Sequence, residues 1–181
     1  MKKFIGFRKQ KQPFTYQASM SIFMFLAILL LAGCDIGTKT AINSSLVLNE
    51  SFDVVPHFFS ITHVKNPGVA FGLFANSQSN LKFIFIFFIP LIVILFLTYK
   101  LKSLRSRTEI LGYVLIIGGA AGNFVDRMLN GHVTDFLDFH FRTFYWPVFN
   151  LADIFIVLGI TLLFSLPYLK NYHRKKAELI N

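Results

Sequence analysis

The sequence predicts an all-α integral membrane protein with four transmembrane helices, both termini in the cytoplasm and a small β-layer with its loop on the outer face. Three observations predict it. The composition is 54% hydrophobic and 17% aromatic with only 15% charged residues, and its 23 phenylalanines exceed what a water-soluble core of 181 residues needs. Four apolar runs punctuate the chain, at about residues 18–33, 81–99, 110–125 and 149–169. Between and beyond them the charges segregate: thirteen of the 18 lysines and arginines fall on one side of a four-span topology. They are Lys2, Lys3, Arg8, Lys9 and Lys11 before the first run, Lys100, Lys102, Arg105 and Arg107 after the second, and Lys170, Arg174, Lys175 and Lys176 after the fourth. The positive-inside rule puts these clusters in the cytoplasm. The net charge of +9 is therefore a topology signal. Nucleic-acid binding would need basic residues interleaved with aromatics on one exposed face, and that pattern is absent.

Taken in order, residues 1–17 read as a basic cytoplasmic tail, 18–169 as a single four-helix membrane domain, and 170–181 as a second basic cytoplasmic tail. The first run is short unless it continues into residues 35–42. It ends in L-A-G-C at Cys34, which imitates a lipoprotein signal peptide with its lipid-accepting cysteine. The charge pattern needs this span to orient the others, so the expectation is an uncleaved helix carrying one unpaired thiol. N-terminal sequencing that began at a lipidated Cys34 would overturn it. The loop from about 43 to 80 is too long for a plain connector. Within it, residues 58–64 are aromatic and β-branched and predict a strand. Asn66-Pro67-Gly68 is a turn, with proline fixing φ and glycine accepting positive φ. The β-layer is expected over about 44–80 with Phe71 and Phe74 near lipid or substrate, and a surface hairpin without a binding role accounts for the same residues.

The third run is rich in glycine and alanine. Gly118 and Gly122, four apart, form a small-xxx-small stripe that lets helix backbones approach closely in lipid. Such packing brings Asn123, Asp126 and Arg127 to an inner face, with Asn123 and Arg127 on one side at i and i+4. The fourth run opens with F-N-L-A-D, ending at Asp153, and the preceding loop holds G-H-V-T-D-F with Asp135. A carboxylate near hydrocarbon costs several kcal/mol, so each is a functional-site candidate. Two carboxylates that meet across neighbouring segments imply acid–base chemistry on water. Asp126 reads as a structural ion pair beside Arg127, and Asp138 as a solvated loop acid. Spacing and composition leave Asp126 and Asp135 equal as the partner of Asp153.

Five ordered blocks now stand in the sequence: D-I-G-T-K, N-P-G-V-A-F-G, G-N-F-V-D-R, G-H-V-T-D-F and F-N-L-A-D. Together, over about residues 27–169, they resemble the lipoprotein signal peptidases (signal peptidase II), bacterial membrane aspartyl proteases with four helices. The resemblance implies that Asp135 and Asp153 are the catalytic pair, which breaks the tie with Asp126. It implies that Asn66, Asn123, Arg127 and Asn150 line the substrate pocket. Asp35, Lys39, Gly68, Gly122 and Asp126 then match supporting positions. The implied substrate is a prolipoprotein whose cysteine already carries diacylglycerol, cut just before that cysteine at the outer face of the inner membrane. No cofactor or metal is implied, the partners are that substrate and membrane lipid, and the enzyme acts as a monomer. One departure is the proline in N-P-G-V-A-F-G, which stiffens the turn.

Other chemistries lack their residues. There is no G-x-S-x-G around Ser44, Ser45 or Ser51, no H-E-x-x-H among the five histidines, and no histidine partnered with Cys34. His132 reads as a solvated loop residue. A proton-coupled transporter would show internal repeats and broken helices near the midplane, and neither is visible. A lipidated anchor explains L-A-G-C but leaves the aspartate blocks without a reason.

Overall fold

The structure, a computed structural model, describes residues 14–68, 84–104 and 106–180. In chain order it comprises helix α1 (Phe14–Ser45), strands β1 (Ser51–Val55) and β2 (Phe59–Asn66), a π-helical turn (Ile84–Phe88) leading into α2 (Ile89–Leu101), α3 (Arg107–Asn130), strands β3 (Val133–Phe141) and β4 (Phe144–Tyr145), and α4 (Leu151–Ile180). Three described helical stretches are long and apolar enough to cross a membrane: Met20–Ser45, Ile84–Leu101 and Arg107–Asn130. A shorter apolar stretch, Leu151–Pro167, opens α4. The expected Phe71 and Phe74 lie outside the described residues, as do the first 13 residues of the expected N-terminal tail.

The first run does continue. α1 is one helix of 32 residues, so at 1.5 Å per residue it measures ~48 Å. Cys34 lies inside it, exposed, with helix on both sides. Ser44 and Ser45, expected in the loop, are its last residues. Thr38 and Thr40 donate their hydroxyls back to the carbonyls of Asp35 and Ile36, so they add no unsatisfied donor along the helix. Pro90 occupies the first turn of α2, where no intrahelical N–H is required. α3 is capped at both ends. The Ser106 hydroxyl accepts from Glu109 N–H, and Gly131 takes φ 73° while its N–H donates to Arg127 O.

α3 is the central helix, and glycine is what lets two neighbours reach it. On one face a Cβ at Gly118 would come within 2.7 Å of Leu31, and one at Gly122 within 2.5 Å of the Asp35 carboxylate, both on α1. On another face Gly119 abuts the Ala152 carbonyl, and Gly112 meets Leu163 and Gly159 of α4. The stripe predicted from Gly118 and Gly122 is therefore one of two. Met24, Leu101, Val114 and Ile117 form the buried apolar cluster, whereas Phe23, Leu30 and Phe164 point outward. A helix set that shows its largest apolar side chains to the surroundings has hydrocarbon as its solvent.

The four strands form one antiparallel series in the order β1-β2-β3-β4. The strand expected at 58–64 is β2. The V-T-D-F part of the G-H-V-T-D-F block, expected as loop, instead opens β3, after a bend at Gly131 and His132, and this is the main correction to the sequence reading. Val133–Phe141 is dense in β-branched and aromatic residues, and its first four positions are buried. Asp138 is corrected with it: on β3 its carboxylate accepts the Thr62 hydroxyl at 2.9 Å, with 17% exposure, so it is a sheet residue and not a solvated loop acid. The β2–β3 register pairs Val64 with Asp135 and Asn66 with Val133, which lays Asn66 diagonally across from Asp135.

Candidate active site

Two backbone devices bring the aspartates together. The N–H groups of Phe136 and Leu137 donate to Phe149 O, and Phe149 N–H donates back to Leu137 O, so the segment before α4 is laced to β3 immediately beyond Asp135. Asn150 then caps α4. Its side-chain oxygen accepts from Asp153 N–H at 3.1 Å, and its own N–H donates to the Asp153 carboxylate at 3.2 Å. This reciprocal pairing is a capping box built from N-L-A-D. It fixes Asp153 in the first turn, at a helix N-terminus that favours an anion.

Asn150 also joins the two carboxylates. Its amide donates to Asp135 Oδ1 at 2.6 Å and to Asn123 Oδ1 at 3.1 Å, while Asn123 Nδ2 donates to Asp153 Oδ1 at 2.9 Å. The other Asp135 oxygen accepts from Asn66 Nδ2 at 3.1 Å. Asn66 Oδ1 accepts from Gly68 N–H, so the N-P-G turn is closed on the side chain that holds Asp135. Arg127 donates to the carbonyls of Asn123 and Gly68, and its buried Nε has no partner among the described residues. Burial pushes the Asp135 carboxyl up to about 6, with the nearby charge of Asp153 adding to the rise, against the hydrogen bonds from Asn150 and Asn66 and the charge of Lys39.

Asn66, Asn123, Arg127, Asp135, Asn150 and Asp153 all line one cavity of about 630 Å³. Its remaining wall is apolar, with Pro90 of α2, Trp146 to Phe149, and Ile154, Val157 and Leu158 of α4. Polar groups converge at one end and a hydrocarbon-like surface extends from them, as ligand sites generally do. A second hollow, of about 420 Å³, lies on the sheet among Phe58, Phe139, Phe144 and Trp146 and has no carboxylate in its wall.

Asp35, Lys39 and Asp126 stand behind the cavity wall. Lys39 donates to Asp35 at 2.6 Å and to Asn123 Oδ1 at 2.7 Å, and lies 3.7 Å from Asp126. Asp35 Oδ1 accepts Ala152 N–H, the second residue of α4. The expected pairing of Asp126 with Arg127 is replaced by contacts to Lys39, Thr134 N–H at 2.7 Å and the Asn130 amide at 2.6 Å. Consecutive helical residues point about 100° apart, so neighbours in sequence do not face each other.

A family model described as signal peptidase (SPase) II matches residues 26–168 of the chain. The chain belongs to the signal peptidase II family. It is accordingly an aspartic peptidase, a hydrolase of peptide bonds. It is 38% identical over 154 residues to a lipoprotein signal peptidase of Blochmanniella pennsylvanica, covering 82% of this chain and 92% of that one. To the lipoprotein signal peptidase of Serratia marcescens it is 41% identical, covering 82% and 86%. Its fold matches a bacterial membrane enzyme solved by the in meso method, with a TM-score of 0.72 and 32% identity over 84% of this chain and 91% of that one.

Several features of the site were missed in the sequence. The capping box was there to be read as N-x-x-D before an apolar run. The tie from Lys39 to Asn123 spans 84 positions, and the contribution of Trp146 and Pro90 to the cavity depends on tertiary packing, so neither left a local signal.

Proposed function

We propose that the chain removes signal peptides from diacylglyceryl-modified prolipoproteins, cutting just before the lipidated cysteine by water attack under an Asp135–Asp153 dyad. The observation that carries this reading is Asn150, which bonds both carboxylates at the polar end of the 630 Å³ cavity. Carboxylates held in one site do not ionise together readily and share a proton, and their titration belongs to the pair. Asp135, raised to about 6, holds that proton. Asp153, with two N–H donors at a helix N-terminus, serves as the base.

In the reaction the ionised carboxylate takes a proton from water as the water oxygen bonds to the scissile carbonyl carbon. The protonated carboxyl gives its proton to the carbonyl oxygen. Collapse of the tetrahedral intermediate breaks the C–N bond, and the proton held by the first carboxylate goes to the leaving amine. The second carboxylate takes back the proton of one gem-diol hydroxyl, which leaves the carboxylic acid and restores the dyad with its one shared proton. Arg127 and Asn66 hold the substrate backbone. The apolar wall of Pro90, Ile154, Val157 and Leu158 suits the hydrophobic part of a signal peptide and the acyl chains of its lipid. The relatives named lipoprotein signal peptidase support the substrate class.

Four membrane spans complete the proposal, with both termini cytoplasmic and the dyad at the outer, periplasmic face of the inner membrane. α4 has 30 residues, ~45 Å of helix, and its apolar stretch of 17 residues covers ~26 Å of a ~30 Å hydrocarbon core. The basic clusters favour this orientation. The test compares wild type, Asp135→Asn and Asp153→Asn in detergent on a diacylated prolipoprotein. Both variants are expected to be inactive while remaining folded, and full activity in either would remove the dyad.

A further inference from the structure

Lys39 is 2% exposed inside a helix long and apolar enough to cross a membrane, where a cation is costly. Its pairing with Asp35 does not account for its presence, because a buried ion pair contributes little over two well-packed apolar residues. Asp126 lies 3.7 Å away, and the other hydrogen bond of the ammonium, at 2.7 Å, goes to Asn123 Oδ1. A carboxamide is nearly symmetric in shape, and which end is oxygen depends on its neighbours. An ammonium is donor-only, so the end of Asn123 facing Lys39 must be the oxygen. The second group on that end is the Asn150 NH₂, itself fixed because Asp153 N–H requires the Asn150 oxygen. With its oxygen committed, Asn123 can turn only its NH₂ to Asp153, at 2.9 Å.

We infer that Lys39 is a positioning residue of the peptidase site, whose buried ammonium locks the Asn123 carboxamide so that it donates to Asp153. The inference rests on the dyad reading. Without Lys39 the Asn123 oxygen keeps only the Asn150 NH₂ as donor, so the amide is held less firmly, and a rotated amide sets its oxygen against the Asp153 carboxylate, which repels it. The effect falls on chemistry and not on substrate capture, because Lys39 does not line the cavity. The charge of Lys39 also reaches Asp135, as does that of Asp153, and Arg127 is coupled to both carboxylates of the pair. Its positive charge holds the Asp135 carboxyl down, so its removal moves the alkaline limb of activity to higher pH.

The test is the variant Asp35→Asn with Lys39→Met in the full chain, purified in detergent and assayed on a diacylated prolipoprotein. Neutralising Asp35 together with Lys39 avoids stranding the carboxylate bonded to the ammonium, Asp126 keeps its hydrogen bonds from Thr134 N–H and the Asn130 amide, and asparagine keeps an acceptor for Ala152 N–H. The expected result is a 10- to 100-fold fall in kcat at unchanged KM and an alkaline limb displaced upward. The triple variant that adds Asn123→Ala is then expected to lose no more kcat in total than Asn123→Ala alone. Wild-type kcat, or losses that multiply with Asn123→Ala, would overturn the inference. Asn123→Asp decides the matter if the double variant does not fold. It keeps both acceptor contacts, to Lys39 and Asn150, and replaces the donor to Asp153 with a second carboxylate oxygen, so the loss of kcat is expected to be at least as large. Wild-type kcat in Asn123→Asp overturns the inference. Active Asp135→Asn or Asp153→Asn would instead remove the dyad reading itself, so the two failures are separable.

Discussion

The protein holds two pairs of aspartates, three of them buried and Asp153 half-buried, and their surroundings differ. Asp35 and Asp126 share one cation, Lys39, and neither opens on the cavity. Asp135 and Asp153 receive only neutral donors, from Asn66, Asn123 and Asn150, and both face the cavity. A carboxylate bonded to an ammonium has its counter-charge in contact, whereas one held by amides is bonded only to neutral donors and stands free to meet a substrate. The same residue type thus becomes structural framework in one place and a candidate acid–base group in another. The choice is made by neighbours that lie far away in sequence.

The largest expected effects fall where this contrast is broken from the reactive side. Asp135→Asn or Asp153→Asn keeps the shape of the site and removes a titratable group, and is expected to lower kcat by about 10³-fold or more with the melting temperature little changed. Asp126→Asn should do the reverse. It weakens the contact to Lys39 and turns an NH₂ toward either Thr134 N–H or the Asn130 amide, leaving one buried donor unmatched. The expected cost is about 3 kcal/mol of stability, read by thermal unfolding in detergent, with kcat of the folded fraction within about threefold of wild type. A thousandfold loss of kcat in folded Asp126→Asn would move the reactive role to the other pair.

Gly122→Ala presses on the framework pair without touching any carboxylate chemically. The new Cβ would sit 2.5 Å from Asp35 Oδ2, the oxygen bonded to Lys39, so α1 and α3 must separate or the ion pair must shift. Overpacking of this kind costs about 1–3 kcal/mol. Gly33→Ala, with nothing within 4 Å of its Cβ, is the control expected to leave stability unchanged.

The sequence made one half of this contrast legible and hid the other. Gly118 and Gly122 announced close helix packing because the small-residue stripe is local. Asn123 and Arg127 announced a shared face because helical periodicity is local too. Asp153 was visible as a charge at the mouth of an apolar run. Asp135 was legible as a candidate but misplaced in a loop, because a single strand flanked by a helix and a turn lacks the repeated alternation that marks a sheet, and its pairing partner β2 lies some 70 residues earlier. Asp126 was paired with Arg127 by adjacency, when helix geometry turns adjacent residues apart. No local rule points from Asp126 to Lys39 or to the backbone of Thr134. Spacing and composition leave Asp126 and Asp135 tied, and the motif resemblance breaks the tie. The structure adds a physical ground for the same choice, since only Asp135 opens on the cavity that Asp153 lines.

The smallest expected effect is a pH shift, and it separates the pairs without abolishing anything. Asp135 is raised from 3.8 to about 6, first by burial, so the fold favours its protonated form. Its contribution to stability is fully present below 3.8 and is lost as pH rises through about 6. If Asp135 donates the proton in the reaction, kcat/KM falls along the same limb. Asn66 donates to the ionised carboxylate, and that hydrogen bond holds the carboxyl down. Asn66→Ala should therefore move the alkaline limb of kcat/KM upward by a fraction of a pH unit, while lowering its height because the substrate loses a contact. In Asp135→Asn the fall of melting temperature between about pH 4 and 6 should flatten, a readout that needs no activity. A slope unchanged in Asp135→Asn would mean that the titrating carboxyl belongs to another residue, and the division of labour between the two pairs would have to be redrawn.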